Sequence, residues 1–417
     1  MAKSNASAPK NPRKIYLDHA SATPVDPGAA RIMHRVSEAF FANPSAIHED
    51  GVAVKNALAA VRAAVAEPLG AHSDEIIFTS GATESNNLAI TGIVNASQDE
   101  NFFRGSARPF KNSHFVPHII TTNIEHASVL EACKYLEKTK QAQVTYVPVE
   151  PNGIVDAKKI KKALKKNTVL VSVMYANNEI GTIQPLREIA KEIRHFRKDS
   201  KNSALPYFHT DATQATNYLS MNAEKLGVDL LSFNAAKIYG PKGIGALWKK
   251  RSISLAPIMH GGDQEYGLRS GTENIVAVSG FAEALAVAED MKVKEVKRLT
   301  VLRDYFIKKL QALDKRIILN GDAESRLPNN VNITSANMPS DLLIIELSAR
   351  GIMASAKSAC KSGDGKASHV IAAIRPDARE LDGSLRFTLG RGTTKADIDH
   401  TAKALEQILN KLKKWYN

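Results

Sequence analysis

The sequence predicts an α/β fold, with a large domain built on a seven-stranded, mostly parallel sheet and a smaller α+β domain beside it. Three observations point there. From residue 75 to 248, short β-branched or apolar runs alternate with amphipathic stretches, the pattern of parallel strands joined by covering helices. After about Met291 the texture changes to longer charged helices and isolated short strands. The length of 417 residues, 43% hydrophobic and 24% charged, suits two such units and excludes disorder, collagen and coiled coil as the main architecture.

Taken in order, residues 1–14 are rich in Ser, Ala, Asn, Pro and Lys and lack both acids and an apolar core, so they read as a flexible basic tail rather than a secretory signal. Residues 26–290 are expected to form the large domain, and 15–25 with 291–417 the small one. The expected strands of the sheet are 75–79, 118–122, 144–149, 168–174, 207–210, 229–233 and 244–248. Leu186, Ile189, Ala190, Ile193 and Phe196 recur at helical spacing and predict a helix with one face on the sheet. Polar stretches at 97–113 and 199–204 read as loops. In the small domain, strands are expected around Ile317, Val331 and Leu385, and a final helix opened by Thr394 with Asp397 three residues on.

Fifty-six Lys plus Arg against 43 Asp plus Glu give a net charge of +13. Much of the excess lies on helical faces such as 155–166, where six lysines surround Ile160, Ala163 and Leu164. Without interleaved aromatics or a recognition motif, this reads as solvated lysine, and no specific nucleic-acid binding is expected. No apolar run approaches the ~20 residues that span a bilayer, so no membrane association is expected either. Two cysteines imply no disulfide framework and suggest a reducing, cytoplasmic setting. No metal-ligand cluster stands out.

Three features carry chemistry. The stretch from Thr79 through Gly81, Ala82 and Thr83 to Asn87 follows a strand and opens a helix, which presents free N–H groups and a positive dipole end to a phosphate. Asp211 stands just beyond a strand, at the carboxyl edge where open α/β sheets bind ligands. Lys237 follows another strand, among Ala235, Ala236 and a Gly/Pro turn that lets a ligand approach closely. A phosphate cradle, a carboxylate and a lysine are together what pyridoxal 5'-phosphate requires.

With those residues in view, the chain resembles the cysteine desulfurases of the NifS/IscS type, group I, in the class V aminotransferase family of fold-type I pyridoxal-phosphate enzymes. The likeness rests on Tyr16-Leu17-Asp18, Asn43-Pro44-Ser45, Ser80 to Asn86, Glu125-His126, Asn177 to Gly181, Asp211 to Gln214, Lys237 to Gly243, Arg269 to Thr272 and Ser358-Ala359-Cys360. It implies that Lys237 is the Schiff-base lysine, that Asp211 keeps the pyridine nitrogen protonated, and that His126 stacks on the ring and moves protons. Asn177 and Gln214 would address the ring substituents. Thr83 with the backbone of Ala82, and Asn234, would bind phosphate, joined by Thr272 from the neighbouring subunit of a homodimer. Asn43, Asn177 and Arg386 would bind L-cysteine. The implied products are L-alanine and a persulfide on Cys360, passed to a sulfur acceptor such as an iron–sulfur scaffold or a tRNA-thiolation enzyme. Selenocysteine lysis or transamination on the same fold is the alternative.

Arg386 has an independent reading: Leu385, Phe387 and Leu389 alternate toward a core, leaving Arg386 on the other face, where its fork could take a carboxylate. The cysteines also separate. Cys133 lies at helical spacing from Val129 and Leu136, as a core residue would. Cys360 lies in a hydrophilic stretch flanked by Lys357 and Lys361, whose charges favour the thiolate. The chain departs from the family at Asn234 and Ala236, where Ser and His are usual, at His19 in place of Asn, and at Asp263 and Tyr266 in place of Gly and Arg. Ala236 cannot donate a hydrogen bond, which predicts weaker cofactor retention.

Overall fold

The computed structural model describes residues 14–98, 115–200, 205–335, 337–356, 368–376 and 383–416. After a short strand β1 (Ile15–Tyr16), helix α1 (Pro27–Ala39) starts where Asp26 accepts the Gly28 N–H and Pro27 supplies a preset φ. Helix α2 (Glu49–Ala66) follows. The chain then enters the main sheet through β2 (Ile76–Thr79), α3 (Ala82–Ala96), β3 (His118–Thr122), α4 (Ala127–Lys138) and β4 (Gln143–Val147). It continues through α5 (Ala157–Ala163), β5 (Thr168–Ser172), α6 (Leu186–Asp199), β6 (Tyr207–Asp211), α7 (Ala223–Leu226), β7 (Leu230–Asn234) and β8 (Gly245–Lys249).

These strands form one seven-stranded sheet in the order β2-β8-β7-β6-β5-β3-β4. Every pair is parallel except those made by β8, which runs antiparallel to both β2 and β7. All seven expected strands are present. The runs drawn to 149 and 174 stop at Val147 and Ser172, although Val173 and Tyr175 still donate backbone hydrogen bonds to β6. Asp211, expected just past its strand, is the last strand residue and pairs with Ser232. The predicted amphipathic helix is α6, with Leu186, Ile189, Ala190 and Ile193 buried. The lysine-rich helix is α5, shorter than expected and buried at Ile160. Of the expected loops, 99–113 and 201–204 lie outside the described residues.

Helix α8 (Ile275–Leu313) is 39 residues long. Its first part, at Ile275, Val278, Phe281 and Leu285, packs into the core beneath the sheet. Its last part, at Leu299, Phe306 and Leu310, joins a second core with Leu17, Val331, Leu385, Phe387 and Leu405. The helix is continuous across residues 290 and 291, so the change of core takes place along one element. Beyond it come β9 (Ile317–Leu319), β10 (Asn330–Ser335), α9 (Ser340–Ser348), β11 (Ile352–Met353), α10 (His369–Ile374), β12 (Ser384–Thr388) and α11 (Lys395–Tyr416). Strands β12, β10 and β9 form an antiparallel sheet in that order, and β1 pairs parallel with β11. The expected capping box is present: the Thr394 N–H donates to Asp397 Oδ2 at 2.9 Å, and the Asp397 N–H donates back to Thr394 Oγ1 at 3.2 Å.

Candidate active site

From β3 the chain steps outward to β4 in one direction and to β5 in the other, which opens a crevice at the carboxyl ends of β3 and β5. The loops that follow these strands deliver the site. His126 comes four residues after β3, Met174, Ala176 and Asn178 follow β5, Asp211 ends β6, and Asn234 ends β7 with Lys237 in the turn beyond it. They surround a cavity with about 200 Å³ of free volume, closed on the far side by Ala20, Ser21 and Arg386.

Helix α3 points its N-terminus at this cavity, with Ala82 and Thr83 on the wall. No side chain caps its first turn, which leaves N–H groups and the positive dipole end available to an anion. Gly81 makes the turn possible, since its φ of +150° suits only glycine. A Cβ on Gly245 would sit 2.7 Å from the Gly81 Cα, so the turn lies directly against β8.

Asp211 is 6% exposed. Its Oδ1 accepts the Thr213 N–H at 2.9 Å and its Oδ2 accepts from Asn86 Nδ2 at 2.7 Å, bonds that fix the carboxylate's orientation. Lys237 donates from Nζ to the Ser21 carbonyl, and Asn217 Nδ2 holds the Lys237 carbonyl at 2.7 Å. His126 caps α4, accepting the Ser128 N–H at Nδ1 at 3.1 Å. Behind it, burial raises the Glu125 carboxyl to about 8 against bonds from Met174 N–H and Thr122 Oγ1 that lower it, with the nearby Asp211 charge raising it further. Under the floor, His209 bridges Ser172 and Ser232 at 2.8 and 2.9 Å, and burial holds its pKa down at about 4.

The opposite wall is assembled from distant segments. Arg386 lies on the face of β12 opposite its core, as the alternation indicates, and is 1% exposed because the N-terminal segment covers that face. Its Nη2 donates to Asp18 Oδ1 at 2.8 Å and Ser21 Oγ at 2.7 Å, its Nη1 donates to the Asn178 carbonyl at 3.0 Å, and its buried Nε has no hydrogen-bond partner. Gln214 joins the same segment by donating to the Ala20 carbonyl at 3.0 Å. His19 packs just behind, bonded through Nδ1 to the Thr388 carbonyl at 2.9 Å, with burial lowering its pKa.

The structure thus brings together Ala82, Thr83, His126, Asp211, Gln214, Asn234, Lys237 and Arg386. It does not bring Asn177 to the wall. That side chain is fully buried, its Oδ1 accepting from Glu179 and Ile180 and its Nδ2 donating to the Ile124 carbonyl, so it shapes the loop that presents Asn178. Asn43 is exposed and closes a local turn with the Ser45 N–H at 2.9 Å, and Thr272 is exposed in the segment before α8. Neither lines the chain's own cavity. Cys360, with 357–367, lies outside the described residues. Cys133 is a core residue as expected, fully buried, with burial pushing its thiol up to about 12.

Sequence reasoning missed Ser21, Asn178, Asn86 and Ser128. Asn86 had a signal, lying one helical turn after Ala82 on the face turned inward, and so did Ser128, two residues past a capping histidine. Nothing local marks Ser21. Two buried cavity-wall atoms, Thr213 Oγ1 and Asn234 Oδ1, have no partner, which costs about 1–3 kcal/mol each unless a ligand engages them. With an anion cradle at one end, a carboxylate on the floor and an amine across from it, the cavity fits a flat, phosphorylated heterocycle with a basic ring nitrogen and an electrophilic carbon.

The family model described as aminotransferase class-V matches residues 15–401. The protein named cysteine desulfurase IscS of Dictyoglomus turgidum is 42% identical over 401 residues, covering 96% of both chains. Among solved structures, one titled NifS-like protein superposes with a TM-score of 0.84 at 32% identity, covering 96% of this chain and 100% of that one. Another, titled SspA in complex with cysteine, does so with a TM-score of 0.71 at 32% identity, covering 90% and 99%.

Proposed function

The chain belongs to the class V aminotransferase family, and on that premise we propose that it is a pyridoxal-phosphate-dependent cysteine desulfurase. The observation that carries the reading is the convergence of the uncapped α3 N-terminus, Asp211, Lys237 and His126 on one cavity. The first turn of α3 would hold the phosphate, with Thr83 and Asn234 beside it. Asp211, oriented by Asn86 and the Thr213 N–H, would sit against the pyridine nitrogen, and Lys237 would hold the cofactor covalently. Bound in this way, the cofactor supplies an electron sink for the bonds at the substrate's Cα. Arg386 would bind the substrate carboxylate, already aimed by Asp18 and Ser21.

Cys360 is the proposed sulfur carrier. Its thiolate attacks the sulfur of L-cysteine, an S–S bond forms as the C–S bond breaks, and the electron pair left on carbon takes a proton to give L-alanine. Ser355, five residues earlier, pairs with Arg386 through backbone bonds of 3.1 and 2.6 Å. Ala356 therefore starts beside the cavity, and four residues reach at most about 14 Å, which supports access of Cys360 to the substrate. Thr272, exposed and away from its own cavity, is available to a second copy of the chain in a homodimer. An iron–sulfur scaffold or a tRNA-thiolation enzyme would receive the sulfur, in the cytoplasm. Among the described residues, no helix is long and apolar enough to cross a membrane, and no cluster could hold a metal ion.

The test is to load the protein with pyridoxal 5'-phosphate, add L-cysteine, measure alanine and map the persulfide by mass spectrometry. Alanine release with a persulfide on Cys360, both lost in Cys360→Ser, is expected. Amino-group transfer that survives Cys360→Ser would replace this reading with an aminotransferase.

A further inference from the structure

A chain of four side chains runs from the cavity floor to its side wall. Asn86 is fully buried on α3 and donates both amide hydrogens, to Asp211 Oδ2 at 2.7 Å and to Ser128 Oγ at 2.8 Å. Its orientation is fixed by chemistry. An ionised carboxylate only accepts, so reversing the amide would set its oxygen against Asp211. The Ser128 hydroxyl, having accepted from Asn86, keeps one proton to donate, and His126 Nδ1 lies 2.8 Å away. The Ser128 backbone N–H points at the same nitrogen from 3.1 Å. Two donors therefore face Nδ1, and one of them, being backbone, cannot turn round. The Asn86 Oδ1 meanwhile stays buried without a partner, so this orientation is held although the oxygen goes unsatisfied.

We infer that Asn86 and Ser128 are positioning residues that tie His126 to Asp211 in a single directed hydrogen-bond chain and hold His126 as the tautomer with its proton on Nε2. The polarity runs one way: Asp211 accepts, Asn86 donates to both sides, Ser128 donates onward, and Nδ1 accepts. His126 then offers the cavity a donor rather than an acceptor. A bound molecule meets an N–H at that edge of the ring, and a proton delivered from His126 leaves from Nε2. This rests on the proposed desulfurase reading for its consequence in turnover, while the tautomer itself stands on the geometry alone.

The experiment is long-range ¹H–¹⁵N correlation of the imidazole nitrogens in the full-length, cofactor-loaded protein, with the His126 signals identified by their loss in His126→Gln. The wild type should show a bare Nδ1 and a protonated Nε2. Ser128→Ala, which leaves Nδ1 only the longer backbone donor at 3.1 Å, should admit a detectable share of the other tautomer, and Ser128→Thr, which keeps the hydroxyl, should restore the single form. In turnover of L-cysteine, Ser128→Ala should lower kcat about tenfold with KM within about twofold, and Ser128→Thr should recover most of that loss. A proton on Nδ1 in the wild type overturns the inference, as does a tautomer unchanged in both Ser128→Ala and Asn86→Leu. A protein with the Nε2–H tautomer but no alanine release would support the inference and sink the desulfurase reading instead.

Discussion

The two walls of the cavity are built by different means. His126, Asp211 and Lys237 stand at the carboxyl edge of one sheet, where each strand delivers its residue by topology. The facing wall joins Ser21 to Arg386 across 365 residues and depends on a few polar contacts, among them the Arg386–Asp18 ion pair at 2.8 Å. The first wall is positioned mainly by the fold, so the loss of one of its side chains should leave the sheet intact. The second is positioned by the side chains themselves, so removing one should disturb both binding and structure.

Breaking each wall in turn tests that contrast. Lys237→Ala should abolish alanine release, by at least about a thousandfold, while the melting temperature stays close to wild type, because the lysine hangs from a turn fixed by β7 and β8. A large fall in melting temperature would show that the sheet wall is no more independent of its side chains than the other. Arg386→Ala should do both kinds of damage. It should raise the KM for L-cysteine about a hundredfold and cost about 3 kcal/mol of stability in denaturant titration, since Asp18 is left without its cation. Arg386→Lys, which keeps the charge without the fork, should recover the stability more fully than the KM.

A smaller effect comes from two histidines buried in the sheet. His209 and His118 are buried with pKa values near 4, so between about pH 6.5 and 4 the unfolded chain binds more protons than the folded one. Stability is then fully present above pH 6.5 and is lost as pH falls through that window. The melting temperature should drop steadily over this range, and His209→Gln should flatten the slope. An unchanged slope would mean that other groups govern acid sensitivity. Smallest is Ala236→His, which should tighten cofactor retention about tenfold in equilibrium dialysis. The Ala236 carbonyl already accepts two bonds from Thr23, so its backbone is well placed to carry the new ring. If wild type and variant retain cofactor equally through long dialysis, the departure from the family pattern has no energetic consequence.

The same contrast explains what was legible in the sequence. Strand ends followed by small residues or glycine announce the sheet wall, and Asp211 and Lys237 stand out for that reason. The period-two pattern around Arg386 correctly put Leu385 and Phe387 in a core, but local alternation carries no information about what covers the other face. That cover is residues 18–21, whose meeting with β12 depends on the closure of nearly the whole chain. Asn177 and Asn178 present a third kind of limit. Adjacent identical residues cannot be told apart by pattern, and only the turn bonds to Glu179 and Ile180 show which of them faces inward.

Helix α8, at about 1.5 Å per residue, is a rod nearly 60 Å long gripped at one end by the core that bears Asp211 and at the other by the core that bears Arg386. It acts as a lever. Tilting such a rod by 5° about its middle would carry each tip about 2.5 Å, comparable with the length of the hydrogen bonds between the walls. A bend or tilt of this one beam, which packs into both cores, would therefore be passed on to the gap between the two walls.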